Sequence, residues 1–349
     1  MTLRTPTRPP FIQHWRDILS PKPALHPFTK EKMGRMASYA TICELMRLGI
    51  HVDVLEPGWR SSNPHAERDE EEFVFVLEGT PDLWSDGYLY RMSPGEAAGW
   101  PGRDGQAHCL INNSDMPVVL VTVGEASRYN SKIHFPVNPE MEPWLKRMGK
   151  LWLDAPRRKL GPHDGFSDTM RGKEPAPKGS VKKARPSCVV RWQDHEQKDE
   201  QHYPGDSELL TMGSPLAQLM GLTRIGIWHE RLLPGRRSSW PHAEYDEEEF
   251  VFVIEGKPDV WLDGVLHPLQ AGDGVGFPDR TGIAHVFLNN SDADVRLLVV
   301  GEASRQRSKI HYPLHAKRNA EVGDRHWKDV PKRKLGTHDA IPRAGTRKA

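Results

Sequence analysis

PHAEYDEEEFVFVIEG, residues 241–256, sets a histidine and several carboxylates directly before FVFVI, an apolar run that reads as a buried strand. Acid gathered against a core strand is unfavourable unless water, a basic partner or a cation offsets its charge. The same text, PHAERDEEEFVFVLEG, stands at residues 64–79. Whatever compensates the acid is therefore needed twice.

The offset between the two stretches, 242 minus 65, is 177 residues, and the same offset carries His108 to His285, Asn112 to Asn289, Gly124 to Gly301, His134 to His311 and Trp15 to Trp192. The chain is a tandem duplication, and each copy is far longer than a solenoid repeat. Two whole domains are expected, over 1–165 and 187–349. Between them, FSDTMRGKEPAPKGSVKKARP (166–186) is rich in Pro, Gly and Lys without an apolar period, as a solvated linker or lid would be.

Within each copy the texture is that of short strands. FVFVLEG is followed by DLWSDGYLYRM, where Asp86-Gly87 suits a two-residue hairpin turn; Asp263-Gly264 repeats it in DVWLDGVLHPL. The strands HCLINNSD and VVLVTVG, or HVFLNNSD and VRLLVVG, follow. This spacing predicts a mainly all-β chain, an antiparallel sandwich or barrel in each copy, with short helices confined to the N-terminal parts, such as ATICELMRL (40–48). Alternation along the strand from Glu249 puts Glu249, Val251 and Val253 on one face and Phe250, Phe252 and Ile254 on the other, so both faces are covered.

Composition excludes some function classes. Lys and Arg number 48 against 47 Asp and Glu, a net charge of +1, so no overall field draws in nucleic acid or an anionic membrane. No apolar run approaches a membrane span, and MTLRTPTRPP lacks the apolar core of a leader, which suggests a cytoplasmic protein. Cys43, Cys109 and Cys188 are an odd set without zinc spacing, as buried thiols in a reducing compartment would be. Cys109 follows His108 on a strand, so it should face the opposite way and pack as a small hydrophobe.

At the histidines the residues resemble the cupin superfamily, whose first motif is G-x5-H-x-H-x3-4-E-x6-G and whose second is G-x5-P-x-G-x2-H-x3-N. His65 and His242 occupy the first histidine, and Glu72 and Glu249 the glutamate, each six residues before Gly79 or Gly256. GEAAGWPGRDGQAHCLIN (95–112) and GDGVGFPDRTGIAHVFLN (272–289) follow the second motif, with two extra residues between proline and glycine. The second histidine of H-x-H is a glutamate in both copies, Glu67 and Glu244. The resemblance implies two tandem jelly-roll barrels, a bicupin, each holding one divalent metal among His65, Glu67, Glu72 and His108, or His242, Glu244, Glu249 and His285. Two histidines with carboxylates favour Fe(II) foremost, with Mn(II) or Zn(II) as alternatives.

That centre suits a metal-dependent oxidoreductase, dioxygenase-like, acting on a small organic acid, phenol or diketone, with Glu67 or Glu244 as a possible base and Trp100, Trp240, Phe75 or Phe252 lining the pocket. The alternatives are a Mn/Zn isomerase, lyase or hydrolase and a ligand-binding bicupin without turnover. The two copies should pair within one chain, as a monomer or homodimer. Other repeated groups are expected to be structural: Asn112 and Asn289 closing turns; Arg128, Lys132 and His134 with Arg305, Lys309 and His311 at the barrel edge; Glu70, Glu71, Glu247 and Glu248 as a solvated face; and LGPHD and LGTHD, around His163 and His338, docking the copies together.

Overall fold

The computed structural model describes residues 8–26, 29–126, 131–172, 174–303 and 308–346. Its centre is set by the alternating strands Glu72–Glu78 and Glu249–Glu255, each inside a six-stranded antiparallel sheet. Val74 and Val76 face the interior of their own unit with Leu83, Leu110 and Leu120, and Val251 and Val253 do so in the second. The phenylalanines turn the other way. Phe73, Phe75, Phe250 and Phe252 meet in one apolar core shared by the two units.

Against each large sheet lies a three-stranded one, Tyr88–Arg91, Asp82–Ser85 and His108–Ile111 in the first unit, and Val265–Pro268, Asp259–Leu262 and His285–Leu288 in the second. The hairpin turns are as expected: Asp86 and Gly87 have φ of 45° and 83°, Asp263 and Gly264 of 45° and 90°, the double positive φ of a type I′ turn. The architecture is that of two jelly rolls in tandem.

The units exchange strands. Ile12–His14, from the start of the first copy, pairs with Asp273–Phe277 of the second sheet, and Val189–Arg191 pairs with Glu96–Trp100 of the first. A second exchange corrects the reading of the acidic run. Glu71 and Glu248 are not solvated but 1% exposed. Glu71 accepts the backbone N–H groups of Thr223, Arg224 and Ile225 at 2.9, 2.9 and 3.1 Å. Glu248 accepts those of Met46, Arg47 and Leu48 at 2.7, 2.8 and 3.0 Å. Arg224 pairs with Glu125 and Arg47 with Glu302 beside them, so each unit grips the other at equivalent places.

Three further expectations change. LGPHD and LGTHD do not join the copies: Gly161 and His163 donate to Asp86 and Gly87, and Gly336 and His338 to Asp263 and Gly264, so each segment seats on its own unit's hairpin. The helix within 40–48 shrinks to Tyr39–Ile42, because Glu44 takes φ 56° and the chain extends from Leu48. Helices also follow the last strands, at Glu142–Arg147 and Ala316–Glu321, outside the N-terminal parts. Within 166–186, Val181 bridges Leu89 in parallel, holding that stretch along the first unit. Among the described residues no helix is long and apolar enough to cross a membrane.

Candidate metal centre

Two strands and the loop before them bring three ligand groups together in each unit. Glu72 heads its strand pointing inward, His108 opens the strand His108–Ile111, and His65 bridges His108 backbone to backbone. Ligand atoms of His65, Glu72 and His108 all lie within 4.8 Å of one another, as do those of His242, Glu249 and His285. His65 Nε2 is 3.6 Å from Glu72 Oε1 and His108 Nε2 is 3.1 Å from Glu72 Oε2. In the second unit the distances are 3.9 and 3.2 Å.

The outer nitrogens are tied to the backbone. His65 Nδ1 lies 2.9 Å from Asn63 O and His108 Nδ1 3.1 Å from Gln106 O; His242 and His285 reach Trp240 O at 2.8 Å and Ile283 O at 3.3 Å. A neutral ring that donates from Nδ1 keeps a lone pair on Nε2, and both Nε2 atoms face the same carboxylate. Glu72 Oε2 and Glu249 Oε2 are buried there without a hydrogen-bond partner among the described residues. Two imidazole nitrogens, a carboxylate and an orphaned oxygen converging on one point fit a divalent cation.

The field at the cluster agrees. Burial would depress His65, but the Glu72 carboxylate outweighs it and brings the ring to about 9; His242 beside Glu249 likewise reaches about 9. Burial would raise Glu72, but His65 and His108 hold it well below the usual carboxylate range. The negative field that holds protons on the rings would equally draw a divalent cation, which displaces those protons on binding. Flat rings brace the inner histidines: Trp100 stacks on His108 at 3.5 Å and 7°, and Phe277 on His285 at 3.6 Å and 11°.

Glu67 and Glu244 stand beside the clusters but not within them. Glu67 accepts from Ser131 Oγ at 3.3 Å, Glu244 from Ser308 Oγ at 3.4 Å, and burial pushes both carboxyls up to about 8. Glu67 and His65 line a cavity of about 470 Å³ that opens in the first unit. Its other walls come from residues outside the motifs, among them Phe135, Met141, Trp144 and Leu145. Sequence reasoning missed these; the one signal was Asn63 standing opposite Trp240 in the duplication. Of the expected pocket aromatics, Trp100 is at its cluster. Phe75 and Phe252 are not, since strand alternation that turns Glu72 and Glu249 inward sends them into the shared core.

The copies differ around the cluster. In the second unit Trp240 stacks on Tyr203 at 4.1 Å and on His315 at 4.1 Å. The duplication sets Asn63, His26 and Asn138 opposite Trp240, Tyr203 and His315. Deeper in the first unit, His51 Nδ1 lies 2.9 Å from Asp53 Oδ2, which also accepts from Thr122 Oγ1 at 2.7 Å. Strand register puts this group on the same face as Glu72, two residues along; the second copy has Trp228, Glu230 and Val299 instead.

The remaining repeated residues that the structure describes make structural contacts. Asn112 Nδ2 donates to Leu55 O and Met116 O at 2.8 Å, and Asn289 does the same with Leu232 O and Ala293 O. Cys109 packs against Trp84 and Trp152, and burial pushes its thiol up to about 12. The three cysteines are free and buried. Lys132 bonds Gly149 O, and Lys309 sits over Tyr245. His134 and His311 pair with Ala66 and Ala243 at the sheet edge. Arg128 and Arg305 lie outside the described residues.

Comparison with known proteins agrees with this geometry. The cupin domain family matches residues 51–124 and 228–301, the stretches from the strand before each cluster to the one after it. Protein SchB of Streptomyces halstedii is 42% identical over 65 residues, 19% of this chain and 45% of that protein. Polyketide synthase CurC of Streptomyces cyaneus is 40% identical over 65 residues, 19% of this chain and 40% of that one. The match thus spans less than half the length of either curated relative. Among solved structures, oxalate decarboxylase of Bacillus subtilis, in work on its Mn(II) centres, covers 85% of this chain and 78% of its own at 13% identity and a TM-score of 0.51. A mutant of that enzyme gives the same coverage and TM-score at 14% identity. At such identity the likeness concerns the fold alone. With a cupin domain found twice and that two-barrel fold shared across most of its length, the chain is a bicupin of the cupin superfamily.

Proposed function

We propose that the chain is a metal-dependent enzyme, an oxidoreductase of dioxygenase type acting on a small organic molecule, with its reaction in the first unit. The observation that carries this is the convergence of two backbone-tethered imidazoles and a buried carboxylate beside an open cavity that His65 and Glu67 line. His65, Glu72 and His108 would hold one cation and His242, Glu249 and His285 another. Two histidines and one carboxylate form the facial set suited to Fe(II); Mn(II) and Zn(II) accept the same donors. Such an ion supplies a Lewis acid and open positions for ligands.

The chain's own residues do the rest. The Nδ1 tethers orient the two rings, and Trp100 covers His108 and keeps water from that side. Glu67, pushed up to about 8 at the cavity's inner end, holds a proton near neutral pH and can exchange it with an oxygen of a bound molecule. His51, whose hold on a proton the Asp53 carboxylate strengthens, stands beside Glu72 where the second unit has Trp228.

A second reading, a Mn(II)-dependent lyase, is favoured by the oxalate decarboxylases that share the fold. Elemental analysis of anaerobically purified protein should give about two metal ions per chain, falling to about one in His65→Ala or Glu72→Gln. Unchanged metal content in both variants would remove the ligand assignment. Oxygen consumed in step with substrate supports the oxygenase, and carbon dioxide released without oxygen uptake supports the lyase.

A further inference from the structure

Resting on the first unit as the reaction site, we infer that its cavity takes a flat, apolar, ring-sized molecule that meets the cluster through one or two oxygens, a phenol or an enolised diketone, and not a small dicarboxylate. The cavity, about 470 Å³, falls within the roughly 300–1,000 Å³ of pockets for drug-sized ligands. Away from the cluster its walls are Met33, Ile133, Phe135, Met141, Trp144 and Leu145.

The polar groups in those walls, Glu70 included, are already engaged with neighbouring groups. Asn63 Oδ1 accepts from Arg60 at 2.8 Å and its amide nitrogen lies 2.7 Å from His26 Nε2. His26 Nδ1 accepts from Thr29 N at 3.0 Å. Ser62 Oγ is 3.2 Å from His65 Nδ1, and Ser131 donates to Glu67. A ligand therefore gains affinity along the walls by burying apolar surface, and reaches the cluster where His65 and Glu67 line the cavity. A dicarboxylate would strand its second carboxylate, because an ionised group leaves water only for a cation or several donors. The described lining contains no arginine, and its single lysine, Lys150, is itself engaged.

The duplication supplies the control. In the second unit Tyr203, Trp240 and His315 stack face to face, so rings of the chain itself stand where His26 and Asn63 line the first unit's cavity. The first cavity accepts what its twin already contains: flat aromatic matter.

Calorimetric titration of the metal-loaded full chain with 1-naphthol and with oxalate tests this. The expected result is one 1-naphthol site per chain, at least about tenfold tighter than oxalate. His26→Tyr with Asn63→Trp, which grafts the second unit's stack onto the first, should weaken 1-naphthol at least about tenfold while metal content stays at its wild-type value. Tighter binding of oxalate, or undiminished 1-naphthol binding by the graft, overturns the inference. Should the graft lose its cooperative melting transition, Met141→Trp replaces it with the same two outcomes. Metal content keeps the two ideas apart: a metal-loaded chain indifferent to 1-naphthol overturns the substrate class alone, whereas a chain that takes up no metal overturns the reading of the site beneath it.

Discussion

Two adjacent glutamates in each copy do unrelated work because a strand turns successive side chains to opposite faces. Glu72 points into its own unit, between His65 and His108, while Glu71 points out and takes three consecutive backbone N–H groups of the other unit. Glu71→Gln keeps the shape but turns one acceptor into a donor facing backbone N–H. It should lower stability by about 1–3 kcal/mol, and Glu248→Gln by a similar amount, read from denaturant midpoints with metal content unchanged. A midpoint that does not move would mean these carboxylates are dispensable to the junction. The sequence could not separate Glu71 from Glu72 by composition, since an EEE run looks the same whichever member is buried. Position relative to the motif identified Glu72; only the partner surface identifies Glu71.

At the level of elements, the strand Ile225–Leu232 carries the largest departure from symmetry in the shared core. His229, 1% exposed, stacks on Trp192 at 4.0 Å, and neither ring nitrogen has a hydrogen-bond partner among the described residues. Its counterpart in the first copy is Val52. Burial, helped by Arg296, pushes His229 down to about 3. A group that stays neutral when folded but binds a proton when unfolded makes stability fall with pH. The loss begins as pH drops below about 6.5 and continues at about 1.4 kcal/mol per unit towards the folded value. His229→Phe, which retains the stacking, should remove that part of the slope and raise stability at pH 5 relative to pH 8, measured by paired urea titrations. Equal slopes in wild type and variant would show that His229 is not the group responsible.

For the whole molecule, the exchanged strands make the two halves interdependent. A break within 166–186 leaves Val189–Arg191 on the fragment that does not own its sheet, and Ile12–His14 likewise. It also uncovers the core formed by Phe73, Phe75, Phe250 and Phe252. Expressed alone, 1–165 and 187–349 should aggregate or fail to unfold cooperatively, and expressed together they should elute as a one-to-one complex carrying both metals. A monomeric, metal-binding 1–165 fragment with a sharp melting transition would show that each unit folds without the other.

The duplication, the β class, the hairpin turns and the convergence of His65, Glu72 and His108 were legible in the amino-acid text, because each depends on local chemistry or on motif spacing. That text could also be read to place Phe75 beside the metal, and the strand's own alternation already spoke against it. What only the tertiary structure decided was the assignment of surfaces: which glutamate grips the other copy, where LGPHD seats, which strands cross over, and which residues wall the first unit's cavity. Those outcomes depend on neighbours distant in the chain, and burial, unlike periodicity, is a property of the neighbours and not of the residue.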